Sequence, residues 1–128
     1  MKFYNTLSIS IKDELEDHSD KLTSMLSQDT TYLKWSHKKQ IINNRHTVLV
    51  EVVEDNDDKR FNPIKEFVKL VRTNEVIIKE YQPLDSSLSL SIDYEYDEQC
   101  NMEFWPEDLK LLGEHGIVLC ISCWEKKK

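Results

Sequence analysis

The sequence predicts an α+β fold: mostly antiparallel sheet with three helices, in a ferredoxin-like or doubled split-βαβ arrangement. Three observations lead there. Residues Phe3–Ile11 and Ser87–Asp97 alternate apolar and polar side chains with period two, as strands do. Apolar residues recur at helical spacing in Asp13–Ser27, in the stretch following Asn62, and in Pro106–His115. Strands and helices mix without strict βαβ alternation, giving the order β-α-β-β-α-β-(β)-α-β. The 128 residues read as one domain with a short charged tail from about residue 125.

In the first strand Phe3, Asn5, Leu7, Ile9 and Ile11 share one face, and Tyr4, Thr6, Ser8 and Ser10 the other. A helix follows over Asp13–Ser27, with Leu15, His18, Leu22, Met25 and Leu26 inward, and Asp13 with Glu16 resembling a capping box. Thr30–Trp35 reads as a short strand that leads into a polar loop through Arg45. His46–Glu54 is β-branched and nearly continuous, as in a central strand buried on both faces. Asp55–Asp58 forms a turn. Asn62-Pro63 starts a helix that runs to about Thr73, with Ile64, Phe67, Val68 and Val71 on one face and Asn74 as a left-handed stop. Val76–Ile78 reads as an edge strand ended by Pro83. In Ser87–Asp97, Leu88, Leu90, Ile92, Tyr94 and Tyr96 oppose Ser87, Ser89, Ser91, Asp93, Glu95 and Asp97. Met102–Phe104 is placed to pair with it. Pro106–His115 is the third helix, with Leu109 and Leu112 inward and Gly116 at its end, and Ile117–Trp124 is the last strand.

Composition excludes several function classes. The two glycines, Gly113 and Gly116, cannot build a phosphate-cradling loop, which needs several glycines so that backbone N–H groups approach the anion. The formal charge of −7 argues against nucleic acid as a partner, because such binding draws on Lys and Arg. No apolar run reaches the roughly 20 residues of a membrane span. The opening Met1–Thr6 lacks the apolar core of a secretory signal, so a cytoplasmic location is expected.

Candidate chemical motifs weigh lightly. Cys120 and Cys123 form a C-x-x-C pair, but within a strand a spacing of three sends the side chains to opposite faces. They read, with Cys100, as buried inert thiols. Asp55–Asp58 with Glu66 is similar in outline to a calcium loop, yet Arg60 stands where glycine is required. No metal or cofactor site is therefore expected, and no nucleophile signature accompanies His18, His37, His46 or His115. Lys34, Lys38, Lys39 and Arg45 read as a basic loop balancing the acidic helices.

The C-terminal third carries a resemblance. The segments Ser87–Tyr94, Met102–Leu112 and Gly116–Ser122 resemble an uncharacterised bacterial domain-of-unknown-function family of small α+β proteins. Its members end in a strand, a short acid-rich helix and an apolar strand. The chain departs from the family at Ser27-Gln28-Asp29-Thr30-Thr31, where glycine and proline are usual. Such small acidic domains resemble immunity proteins found beside polymorphic toxins. The resemblance implies a non-catalytic protein that neutralises a cognate toxin, for example a basic nuclease domain, through an acidic surface. The residues expected there are Ser89, Ser91, Asp93, Glu95 and Asp97, with Glu54, Asp57 and Asp58, and Tyr4 as an aromatic anchor. The alternative is a small-ligand or enzymatic cleft near Trp35, His37 and His46.

Overall fold

The computed structural model describes residues 2–28, 36–55, 62–96 and 102–126. Its elements are β1 (Lys2–Ser10), a 3-10 segment (Asp13–His18), α1 (Ser19–Gln28), β2 (Ser36–Ile42) and β3 (Arg45–Asp55). There follow α2 (Pro63–Thr73), α3 (Glu75–Tyr81), β4 (Leu88–Tyr96), α4 (Pro106–Glu114) and β5 (Ile117–Glu125). The fold is α+β. The five strands of the described residues lie in the order β2-β3-β1-β4-β5. The pairs β2–β3, β3–β1 and β1–β4 are antiparallel, whereas β4–β5 is parallel. The sheet is thus mixed, and the described residues hold four α-helices where three were expected.

This topology follows from the connections. The segment from β1 through α1 to β2 leaves one sheet position vacant, which β3 fills. The segment from β3 through α2 and α3 to β4 leaves another, filled by β1. The α4 crossover then delivers β5 parallel to β4, as a crossover helix requires. The helices pack on one side of the sheet. There Leu22 and Leu26 of α1, Phe67 and Val71 of α2, Ile78 of α3 and Leu112 of α4 meet Leu7, Ile9, Val50, Val52, Leu90 and Ile92. Burying each such side chain contributes roughly 1.5–3 kcal/mol.

Several local expectations are corrected. The segment after β1 opens as a 3-10 turn before α1, so His18 is exposed. Its N-cap, Lys12, makes no side-chain capping bond, and the Asp13–Glu16 box does not form. Ser36–Ile42 is a strand and not a polar loop. Asn43 and Asn44, with φ of 51° and 62°, close a two-residue hairpin onto Arg45, because asparagine tolerates the left-handed region. Residues 30–35 lie outside the described residues.

Asn62 accepts the Lys65 backbone N–H at 3.0 Å and starts α2 as its sequence predicts. Asn74 has φ of −109°, so it is not a left-handed stop. Its side-chain amide donates to the Leu70 carbonyl at 2.9 Å, and the chain turns directly into α3. Val76–Ile78 is therefore helical: Ile77, Ile78 and Tyr81 face inward at helical spacing. Met102–Phe104 forms no strand, although Met102 and Phe104 pack on the core. In α4 Leu112 is buried, while Leu109 is exposed and the buried neighbour is Asp108. Gly116, at φ of 63°, turns the chain from α4 into β5, a conformation strained for any side chain.

Candidate partner-binding face

The alternation that buries Leu7, Leu90 and Val50 turns every intervening residue to the opposite side of the sheet. Strand register assembles that side row by row. Tyr4 lies between Val53 of β3 and Asp93 of β4, Thr6 between Glu51 and Ser91, and Ser8 between Leu49 and Ser89. On β5, Cys120, Ser122 and Trp124 continue the rows beside Ser91, Asp93 and Glu95. Among the described residues no helix covers this face.

At one end an aromatic pair is set among carboxylates. The rings of Tyr4 and Trp124 stack with centroids 5.7 Å apart and planes 28° from parallel. Asp93 and Glu51 share with them a shallow depression of about 330 Å³, floored by Thr6 and edged by Val53. Glu51, Asp93 and Glu95 are half-exposed. Among the described residues no ion pair engages them. Carboxylates beside stacked aromatic rings suit one chemistry well: an ammonium or guanidinium group, held by charge and by the ring faces.

The other end differs in kind. Ser8, Ser10, Ser87, Ser89 and Ser91 line a depression of about 550 Å³ bordered by Arg45 and Asp85. These two pair at 3.1 Å, and the guanidinium bond holds the Asp85 carboxyl below the usual carboxylate range. This end is neutral and hydroxyl-rich.

Of the expected site residues, Ser89, Ser91, Asp93, Glu95 and Tyr4 come together on the open face. Glu54 pairs in register with Phe3, one position out of step with the Tyr4 row. Asp57, Asp58 and Asp97 lie outside the described residues, as do Trp35 and Lys34. Sequence reasoning missed Glu51, Val53 and Trp124. Parity could have found Trp124, six residues beyond Val118 on one face. Glu51 is masked by the apolar run around it.

The alternative cleft does not assemble between its two described histidines. His37 lies opposite Val50 and His46 opposite Ile41, four ladder positions and so roughly 13 Å apart. His37 is half-buried and burial lowers its imidazole pKa. His46 pairs with Glu16 at 2.7 Å and lines a separate depression with Asp17 and Lys39, which His37 does not reach. Lys38 and Lys39 point to opposite faces, and Lys39 pairs with Asp20, so no continuous basic patch forms among the described residues. Cys120 and Cys123 are exposed, not buried, because β5 is an edge strand. Cys100 is outside the described residues.

Among the described residues no His, Cys, Asp and Glu side chains group as metal ligands. No described helix is long and apolar enough to cross a membrane. Comparison of the chain with protein-family models, curated proteins and solved structures returned no match.

Proposed function

We propose that the chain is a non-catalytic binding protein of the bacterial immunity type, which neutralises a cognate toxin through the acidic end of its open sheet face. The observation that carries this reading is the Tyr4–Trp124 stack with Glu51 and Asp93 around it and Glu95 beside Trp124 in register. A lysine or arginine of the partner would lie against the rings and pair with the carboxylates, in the position a phosphate-binding toxin site offers to its substrate. The partner is a protein with a basic surface, such as a nuclease domain, and neither nucleic acid nor a membrane. Strands β1–β4 with their crossovers act as a ferredoxin-like scaffold that keeps the face rigid, so little ordering opposes binding.

The experiment is co-expression with the toxin encoded by an adjoining gene, scored by survival and by association kinetics. Asp93→Lys with Glu95→Lys is expected to slow association by about tenfold or more, since exposed charges act mainly on encounter. Protection that survives the double reversal undiminished would place the binding surface elsewhere.

A further inference from the structure

The sheet has two edges, and they are built differently. The β2 edge carries His37, Lys38, Lys39 and Gln40, and charged side chains of this kind discourage strand addition. The β5 edge carries no charge from Ile117 through Trp124 and no proline. Its register with β4 runs unbroken from Leu88–Ile117 to Tyr96–Glu125, so no bulge twists it away. Val118, Ile121 and Trp124 are 50%, 43% and 42% exposed. A long, flat, uncharged edge is a template for another strand.

We propose that two copies of this chain join β5 to β5, antiparallel about Ile121, fusing two five-stranded sheets into one. The register follows from the backbone. The Lys126 N–H donates to the Tyr96 carbonyl on β4 at 2.7 Å, so alternation directs the even-numbered backbone groups of β5 inward. The N–H and C=O groups of Ile117, Leu119, Ile121, Cys123 and Glu125 then face outward. A two-fold axis at Ile121 sets Ile121 against its copy, Leu119 against Cys123, and Ile117 against Glu125. A second copy is the occupant whose charges fit at the two ends of the strand. This register keeps the two Glu125 carboxylates at opposite ends. It brings Lys126 opposite Gly116 of the other copy, beside Glu114 at the carboxyl end of α4, where a cation is favoured. The inference stands on the edge strand and does not require the acidic face to bind a toxin.

The test uses the full chain. Its weight-average mass in sedimentation equilibrium is expected to rise from monomer to dimer between low and high micromolar concentration. Ile121→Lys sets two ammonium groups against each other across the axis and is expected to weaken association by about a hundredfold or more, with the circular dichroism spectrum unchanged. In a background with Cys100, Cys120 and Cys123 changed to Ser, Ile121→Cys is expected to form a disulfide-linked dimer on mild oxidation. Residues so paired lie about 5.5 Å apart at Cα, within disulfide reach. Val118→Cys, displaced from its own copy, is expected not to cross-link. A chain that stays monomeric throughout overturns the proposal and leaves the edge to a strand of another protein. Association that survives Ile121→Lys, or equal cross-linking through Val118→Cys, overturns the register.

Discussion

The two faces of this sheet are made by the same strands, one residue out of phase, and they have opposite characters. Toward the helices, Leu7, Val50 and Leu90 are fully buried and lie side by side in register. On the other face the adjacent residues Thr6, Glu51 and Ser91 form a row that no described helix covers. A slip of one position would exchange the two sets, so the register that builds the core also fixes what is displayed outside. The helix side therefore governs stability, and the open side is free to carry recognition. Each prediction below tests that division, beginning where the helix side is most exacting.

The largest effect is expected at Phe67, fully buried in α2 against the strands. Phe67→Ala removes apolar contact and leaves a cavity, costing about 3–5 kcal/mol; denaturant unfolding measures it. Tyr4→Ala, a truncation of comparable size on the open face, is expected to cost far less. Equal losses at the two positions would break the division between faces.

Next comes Asn62, which holds two helices together on the covered side. Its side-chain carbonyl caps α2 through Lys65, and its amide donates at 3.3 Å to Asp108 in the first turn of α4. Asp108 is 5% exposed, so its carboxylate has little water to fall back on. Asn62→Ala is expected to cost about 1–2 kcal/mol. Asn62→Ser keeps a capping oxygen and loses the amide donor, so its intermediate stability separates the two roles.

The division also explains what could be read from sequence. On β4 each residue has one environment, and strict alternation exposed both its buried and its displayed sides. The helix at Pro63 was legible because Asn-Pro encodes a local capping bond. Three stretches were not legible, for tertiary reasons. Ser36–Ile42 looks like a loop because an edge strand buries little and can be polar throughout. Val76–Ile78 looks like a strand because β-branched propensity is overridden when Ile77, Ile78 and Tyr81 reach the core from a helix. The parallel β5 depends on a crossover that no local pattern reports. The acidic site was half legible: Asp93 and Glu95 follow from alternation, whereas Glu51 and Trp124 join them only through register across four strands.

A pH effect sharpens the contrast at the β2 edge. Burial lowers the pKa of His37 from its ordinary 6.5, so below that pH the unfolded chain binds the proton more readily than the folded one. Stability is then expected to fall as pH drops from about 6.5 toward the folded pKa. His37→Gln should remove this portion of the slope. The exposed carboxyls of Glu75 and Asp85, lowered by Lys79 and Arg45, act in the same sense at lower pH, because their folded values also lie below the unfolded ones. They add stability above the ordinary carboxylate range, lost only in stronger acid as pH falls through their folded values. An acid profile that is flat between pH 6.5 and the carboxylate range would refute the His37 assignment.

The smallest stability change is expected where the proposed function is greatest. Glu51→Gln and Asp93→Asn keep the size and the strand geometry of the open face and remove two charges. Among the described residues neither carboxylate has an ion pair to lose. Each substitution should therefore shift unfolding free energy by no more than about 0.5 kcal/mol. Association with a basic partner should slow in the same variants, because the charges that steer it are gone. A helix-side substitution that costs as little stability should leave that rate unchanged. If Glu51→Gln and Asp93→Asn instead destabilise the chain as much as Asn62→Ala, the carboxylates serve the fold, and the open face is not a surface set aside for binding.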